Sequence, residues 1–232
     1  KLHRSYDKNP LVNVACIGIV KNKNIVYGNA FNNQFFIYVG SKTGNEGING
    51  AAMASNTFSN NSNMSELEKN VQKSDPFLEK LLLEACCEIS EKNLASGMQD
   101  MGAGGLLCAT MEVVKRGRDI LQGNIGCTID LDMVPTKYNM EHSNILISES
   151  QERMLIVCDE ENISPIFKIF EKWDLEHKLI GRTDMSGKYK VQYKDKLLYT
   201  KDFSAFNDVN DYSNVLVREP YNHCDDDICQ LV

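Results

Sequence analysis

Residues 96–114 read Ser-Gly-Met-Gln-Asp-Met-Gly-Ala-Gly-Gly-Leu-Leu-Cys-Ala-Thr-Met-Glu-Val-Val. Ser96–Asp100 reads as a short strand and Met101–Gly105 as a glycine turn. A helix then opens, with Leu106, Thr110, Val113 and Val114 along one side. A strand that enters a helix through so tight a turn is the repeating unit of a layered α/β fold. The same turn is a candidate chemical site. A carboxylate at Asp100 can hold Mg²⁺, and the N–H groups of the turn and helix start can face phosphate. Equally, Asp100 can cap the helix while Gly102, Gly104 and Gly105 serve close packing.

Working outward, Arg153–Cys158 and Phe35–Gly40 are apolar runs of buried-strand length, and Cys127–Leu131 is a further strand that stops at Pro135. Leu179–Ile180, Tyr189–Tyr193 and Lys196–Tyr199 read as the last strands, with Ser186-Gly187 as a hairpin turn. Asp75 or Ser74 caps a helix that starts at Pro76. Phe77, Leu81, Ala85 and Ile89 recur at i+4, with Leu78, Leu82 and Cys86 beside them, so this helix lies on a sheet. A second amphipathic helix covers 163–173, and 140–148 reads as a short one. Residues 11–20 read as a buried strand that Ile25–Tyr27 pairs with as a hairpin. Residues 55–71, rich in Asn, Ser, Glu and Lys, read as an exposed loop or lid. The fold class expected is α/β, a mixed sheet with helices packed on it.

Composition narrows the function. The 232 residues are 42% hydrophobic and 25% charged, which suits a globular chain with a sizeable core. Lys+Arg number 25 against 32 Asp+Glu, a net charge of −7, which argues against a general nucleic-acid binder. No apolar run reaches membrane-spanning length and the first ten residues have no signal-peptide pattern, so no membrane partner and a cytoplasmic location are expected. The 8 Cys form no CxxC pair, which speaks against zinc, and a reduced state is expected over a disulfide framework. The four His are scattered and read as surface or structural.

Two further stretches are candidate sites. Gly40–Gly50 holds four glycines in eleven residues with Ser41, Lys42 and Thr43, but lacks the spacing of a phosphate-binding Walker loop. It reads as a mobile surface loop or as a loop near a ligand. Ser148-Glu-Ser-Gln-Glu-Arg153 places consecutive hydrogen-bonding side chains just before an apolar strand. Buried without partners, each would cost about 1–3 kcal/mol, so they are expected to be solvated or held by a polar ligand.

The ordered set Val39-Gly-Ser-Lys-Thr-Gly44 with Gly47 and Gly50, Val71-Gln72, Asp75-Pro-Phe77, Leu82-Leu-Glu-Ala85, Gln99-Asp-Met-Gly-Ala103, Val134-Pro135, Ser148-Glu-Ser-Gln-Glu-Arg-Met154, Phe170-Glu-Lys-Trp173 and Ile180-Gly181 resembles the synthetase subunit of phosphoribosylformylglycinamidine synthase, of the small, multi-subunit type. The likeness runs from about residue 9 to about 203. It implies a fold like the C-terminal domain of the aminoimidazole ribonucleotide synthetase superfamily. It implies an ATP- and Mg²⁺-dependent ligase of purine biosynthesis that turns formylglycinamide ribonucleotide and glutamine-derived ammonia into the amidine. Gln72, Glu149, Ser150 and Gln151 match the family's ribonucleotide-binding positions, and Asp100 matches a Mg²⁺ ligand. The implied partners are a glutaminase subunit, a small accessory subunit and further segments of the same polypeptide.

The chain also departs from that pattern. The family's loop Gly-Arg-Asp-Gly-Ile-His-Gly has Asn45, Glu46 and Asn49 here. Lys73 and Ser74 replace a Val-Gly pair after Gln72, and Asn144 stands where a Glu is common. Arg118–Asn124 reads as an insertion. The family's catalytic histidine segment and ATP-contacting residues have no counterpart. The chain is therefore expected to comprise the terminal hairpin of a smaller domain (1–32), an α/β substrate-binding domain (33–203) and a linker or tail (204–232), and to be inactive alone. A different class, a non-catalytic nucleotide-binding or scaffold domain of the same superfamily, is the alternative. Another enzyme of that superfamily would lack the Ser-Glu-Ser-Gln-Glu-Arg-Met string.

Overall fold

A computed structural model describes residue 15, residues 17–48 and residues 72–206. The lid read at 55–71 and the tail beyond 206 lie outside these residues.

Seven strands form one sheet: β1 Phe35–Gly40, β2 Gly97–Asp100, β3 Gly126–Asp130, β4 Arg153–Cys158, β5 His177–Asp184, β6 Lys188–Tyr193 and β7 Lys196–Asp202. Their order is β2-β4-β1-β5-β3-β6-β7. All neighbours are antiparallel except β3 and β6, which run parallel. The mixed α/β class read from the sequence is the one observed. The helices are α1 Pro76–Glu91, α2 Gly105–Leu121, α3 His142–Ile147 and α4 Glu160–Lys172.

The alternation of side chains across each strand splits the core in two. Phe36, Tyr38, Leu155, Val157, Ile129 and Val191 point to the face that α2 covers with Leu106, Ala109, Val113 and Val114. Ile37, Val39, Ile156 and Cys158 point to the opposite face, under Leu82, Ala85 and Ile89 of α1 and Ile166, Ile169 and Phe170 of α4. Each fully buried Val, Leu, Ile or Phe side chain among them contributes about 1.5–3 kcal/mol. The stripe expected on α1 is therefore right at its centre and wrong at its start, since Phe77 is 74% exposed. Asp75 caps that helix as expected, its carboxylate accepting from the Leu78 N–H at 3.0 Å.

Two local readings are corrected. First, the segment read as a hairpin carries no strand among its described residues; Asn22–Asn24 is a 3₁₀ turn, and Ile17 and Ile19 are fully exposed. An apolar run becomes a strand only beside a partner, and among the described residues this one meets the sheet through one backbone bond, from the Met98 N–H to the Tyr27 carbonyl at β2's outer edge. Second, Ser186-Gly187 does turn the chain, but β5 and β6 are not paired, because β3 lies between them. The tight hairpin is β6–β7, closed by Lys194 and Asp195, both at positive φ (47° and 61°) as a type I′ turn requires.

Glu88 ties α1 to α4. It accepts from Lys172 Nζ at 2.7 Å and from the Trp173 indole at 3.1 Å, with Lys92 also at 2.7 Å. The hydrogen bonds from Lys172, Lys92 and Trp173 hold its pKa down to about 2. A depressed carboxylate pKa contributes stability above the unfolded value and loses it as pH falls through the folded one. Glu88→Gln should therefore lower the urea midpoint slightly at neutral pH, and the gap to the parent should close on acidification from about pH 5 toward about pH 2. Because Glu88 is only partly buried and its lysine partners are exposed, the gap should also shrink in high salt. A gap independent of both pH and salt would show that the ion pairs contribute nothing.

Candidate functional site

The turn and the polar string meet at one end of the sheet. β2 pairs with β4 so that Asp100 stands opposite Met154. The exit of β2 and the entrance of β4 are thus neighbours, and the loops attached to them share an edge. The Gly104 N–H donates to Glu149 Oε1 at 3.2 Å, and Gln72 Nε2 donates to Glu149 Oε2 at 3.1 Å. Glu149, 3% exposed, therefore joins the segment before α1, the turn before α2 and the loop before β4. The glycine loop closes on the same point. A Cβ at Gly47 would lie 2.8 Å from Glu149 Cβ and 3.0 Å from Gln72 Cγ, and its φ is +72°. Only a residue without a side chain lets the loop approach so closely.

The expectation that residues 148–153 are solvated or held by a ligand is only partly met, because most are buried and bond to one another and to the glycine loop. Ser148 Oγ donates to the Gly44 carbonyl at 2.5 Å, and the Gly44 N–H donates to Ser150 Oγ at 3.0 Å. Ser150 Oγ donates in turn to Glu46 Oε2 at 2.9 Å. Arg153, 3% exposed, donates to the Ser150 and Ser148 carbonyls and to Thr43 Oγ1. Tyr38 completes the network through Thr43 Oγ1 and the Ser41 carbonyl. The described part of the glycine loop is anchored at Thr43, which is fully buried and bridges to Thr136, while Lys42 and Asn45 stay exposed.

Burial sets the electrostatics of this network. It pushes the Tyr38 hydroxyl up and the Arg153 guanidinium down, each offset by the other. Burial also opposes ionisation of Glu46, yet hydrogen bonds from Lys137 and Ser150 outweigh it and set that carboxyl below its ordinary pKa. The departures Asn45 and Asn144 touch: Asn144 Nδ2 donates to Asn45 Oδ1 at 3.4 Å.

A cleft of about 960 Å³ opens beside this frame. Asp100, Met101, Gly102 and Gln151 line it, together with Lys21 and Lys23. Of the residues singled out from sequence, Asp100 and Gln151 face this space. Glu149 and Gln72 are bonded to each other and do not line it, and the Ser150 hydroxyl is turned into the loop. Sequence reasoning had Thr43 and Arg153 inside candidate stretches but not in contact with each other, and it missed Tyr38. A tyrosine inside the apolar run Phe35–Val39 was the one visible signal, since a buried hydroxyl needs a partner.

Asp100 is exposed, and Gln99 Nε2 donates to its Oδ1 at 2.9 Å. Among the described residues no three His, Cys, Asp or Glu side chains gather as a metal site. Mg²⁺ commonly uses one or two carboxylates with phosphate and water completing its shell. Asp100 fits the part of one such carboxylate. Among the described residues no helix is long and apolar enough to cross a membrane, and the five described cysteines are free.

The chain is similar to proteins of known function. The chain is 42% identical over 195 residues to the phosphoribosylformylglycinamidine synthase subunit PurL of Bradyrhizobium diazoefficiens, a match covering 83% of this chain and 25% of that relative. The solved structure of Thermotoga maritima PurL complexed with FGAR superposes with a TM-score of 0.72 at 34% identity, covering 80% of this chain and 30% of that one. The same protein complexed with ATP superposes at 0.65, with 34% identity and 80% and 27% covered. The chain spans about a quarter of the length of the curated relatives it matches. Residues 34–194 match the family model described as AIR synthase related protein, C-terminal domain, and the chain belongs to that family.

Proposed function

We propose that this chain supplies the ribonucleotide- and Mg²⁺-facing part of an ATP-dependent ligase of purine biosynthesis. The reaction is conversion of formylglycinamide ribonucleotide, with ATP and glutamine-derived ammonia, to the amidine. The observation that carries this reading is the meeting of the Asp100 turn, the 148–151 loop and Gln72 at one end of the sheet, through Glu149. PurL relatives, and PurL structures holding FGAR and ATP on the same fold, support it.

In this reading Gln151 meets the ribonucleotide from the wall of the cleft. Gln72 and Glu149 form the shelf behind it, and Ser150 acts through Gly44 and Glu46. Asp100 would hold Mg²⁺, which would supply charge neutralisation for phosphoryl transfer. The Met101–Gly105 turn admits the phosphate closely. Residues 33–203 form the substrate-binding domain, 1–32 belong to a smaller neighbouring domain and 204–232 form a linker. Other segments of the polypeptide, a glutaminase subunit and a small accessory subunit complete the assembly in the cytoplasm, and the chain alone is inactive.

The test is complementation with the remaining segments of a PurL relative. Asp100→Asn and Gln72→Ala should each lower amidine formation by roughly 10- to 100-fold, the range found when metal-site and binding groups are removed. Near-normal activity in both variants would overturn the assignment. Calorimetry separates the scaffold alternative, which requires ATP binding without binding of formylglycinamide ribonucleotide.

A further inference from the structure

Asp100 does not stand alone on its strand. Glu112 accepts from Arg116 Nη2 at 2.8 Å, and Arg116 Nη1 donates to Gln99 Oε1 at 2.6 Å. Gln99 Nε2 then donates to Asp100 Oδ1 at 2.9 Å. The order of this chain fixes what each atom can do. A side-chain amide has one accepting end and one donating end, and at most positions it can flip. Here the guanidinium has no acceptor, so it can engage only the Gln99 oxygen. That forces the NH₂ end toward Asp100. The carboxylate is thereby held at Oδ1, with Oδ2 beside Gly102, where a Cβ would come within 2.9 Å of it. Asp100 and Gly102 both line the cleft.

We infer that Gln99 and Arg116 are positioning residues that set the Asp100 carboxylate for a divalent cation. The inference rests on the proposed role of Asp100. Ligand carboxylates are commonly oriented by an outer hydrogen bond, and losing that bond weakens metal binding about 10- to 100-fold. Arg116 offers a signature that simple electrostatics cannot imitate. Removing a positive charge near a cation site should tighten cation binding by Coulomb's law. The relay requires the opposite, because without Arg116 the Gln99 amide is free to turn its oxygen toward Asp100.

The experiment uses Mn²⁺ as a paramagnetic probe of this chain, read as broadening of the Met101 and Gly102 amide resonances, which registers weak binding. Gln99→Leu should raise the Mn²⁺ midpoint by about 10-fold or more. Arg116→Met should raise it too, and the double variant should match Gln99→Leu alone, since the two act in series. Thermal midpoints separate positioning from folding. Arg116 also donates to the Gly28 carbonyl, so Gln99→Leu is the cleaner variant. An unchanged midpoint in Gln99→Leu, or tighter binding in Arg116→Met, would overturn the relay. No effect of Asp100→Asn on the broadening would instead overturn the metal role on which the relay depends.

Discussion

Replacing Arg153 by Met should cost roughly 3–5 kcal/mol of folding stability, read as a lowered urea midpoint at unchanged slope. The two side chains are similar in length, so little volume is lost. What disappears is a set of donors. Arg153 Nε reaches the Ser150 carbonyl at 2.6 Å and Nη1 reaches Thr43 Oγ1 at 3.0 Å, while Nη2 serves the Ser148 carbonyl. These acceptors are buried, and each left without a donor costs about 1–3 kcal/mol. Against a typical total stability of about 5–15 kcal/mol that is a large share. The loss should also be local before it is global. The Gly44 N–H, bonded to Ser150 Oγ, and the Ser150 N–H, bonded to Ser148 Oγ, should lose hydrogen-exchange protection ahead of the β1 amides. A near-native midpoint with these amides still protected would show that the loops are held without Arg153. Arg153→Lys should recover only part of the loss, because an ammonium cannot span three acceptors as the planar fork does.

That network shows what sequence can and cannot convey. Thr43 and Arg153 are 110 residues apart, and no local pattern couples them. The residue types in 148–153 were conspicuous, but their partners were not. With partners unknown, a run of polar side chains at a strand entrance reads as solvated or ligand-held. Its actual use here is to bind the glycine loop, leaving Gln151 to face the cleft. The strand-turn-helix at 96–121 was legible because glycine turns and helical periodicity are short-range properties. The strands β1 and β4 were legible for the same reason, as apolar runs of the right length.

The readings that failed depended on neighbours. Residues 17–20 are apolar enough for a strand, yet they find no second strand among the described residues. Across Met185–Gly187, a hairpin and a split pair that admits β3 are locally alike; only the pairing of Cys127 with both Thr183 and Tyr189 distinguishes them. At the site the same division holds. Asp100 could be picked out from its place in a turn, whereas the orientation of its carboxylate depends on Arg116, a full turn beyond Glu112 on another element. The family was legible chiefly through resemblance, because the ordered motifs carry more information than any one of them does.

Gly105→Ala should be the most damaging single-methyl change in the turn, costing about 3 kcal/mol or more. The residue has φ of +56°, which any L-residue occupies at a cost of about 1 kcal/mol. The larger cost is steric. A Cβ there would lie 2.1 Å from the Ser148 carbonyl oxygen and 3.0 Å from that of Leu146. Both are backbone atoms, so no side chain can swing aside. Either the start of α2 or the 146–148 segment must shift. Leu106, the next residue, is fully buried in the core, which resists movement of the helix. The 146–148 segment is held by Arg153 and by the Ser148 bond to Gly44, which resists the other. Relief by either route lengthens the 3.2 Å contact from the Gly104 N–H to Glu149, so on the proposed function binding of formylglycinamide ribonucleotide should weaken together with stability. Gly123→Ala is the control at the far end of the same helix. Its added Cβ meets nothing closer than 3.7 Å, and its effect should stay within about 1 kcal/mol. Thermal and urea unfolding of the two variants side by side decide the matter. Equal small effects would mean that the turn and the 146–148 segment can separate freely, and the coupling between the Asp100 turn and Glu149 would then have no structural basis.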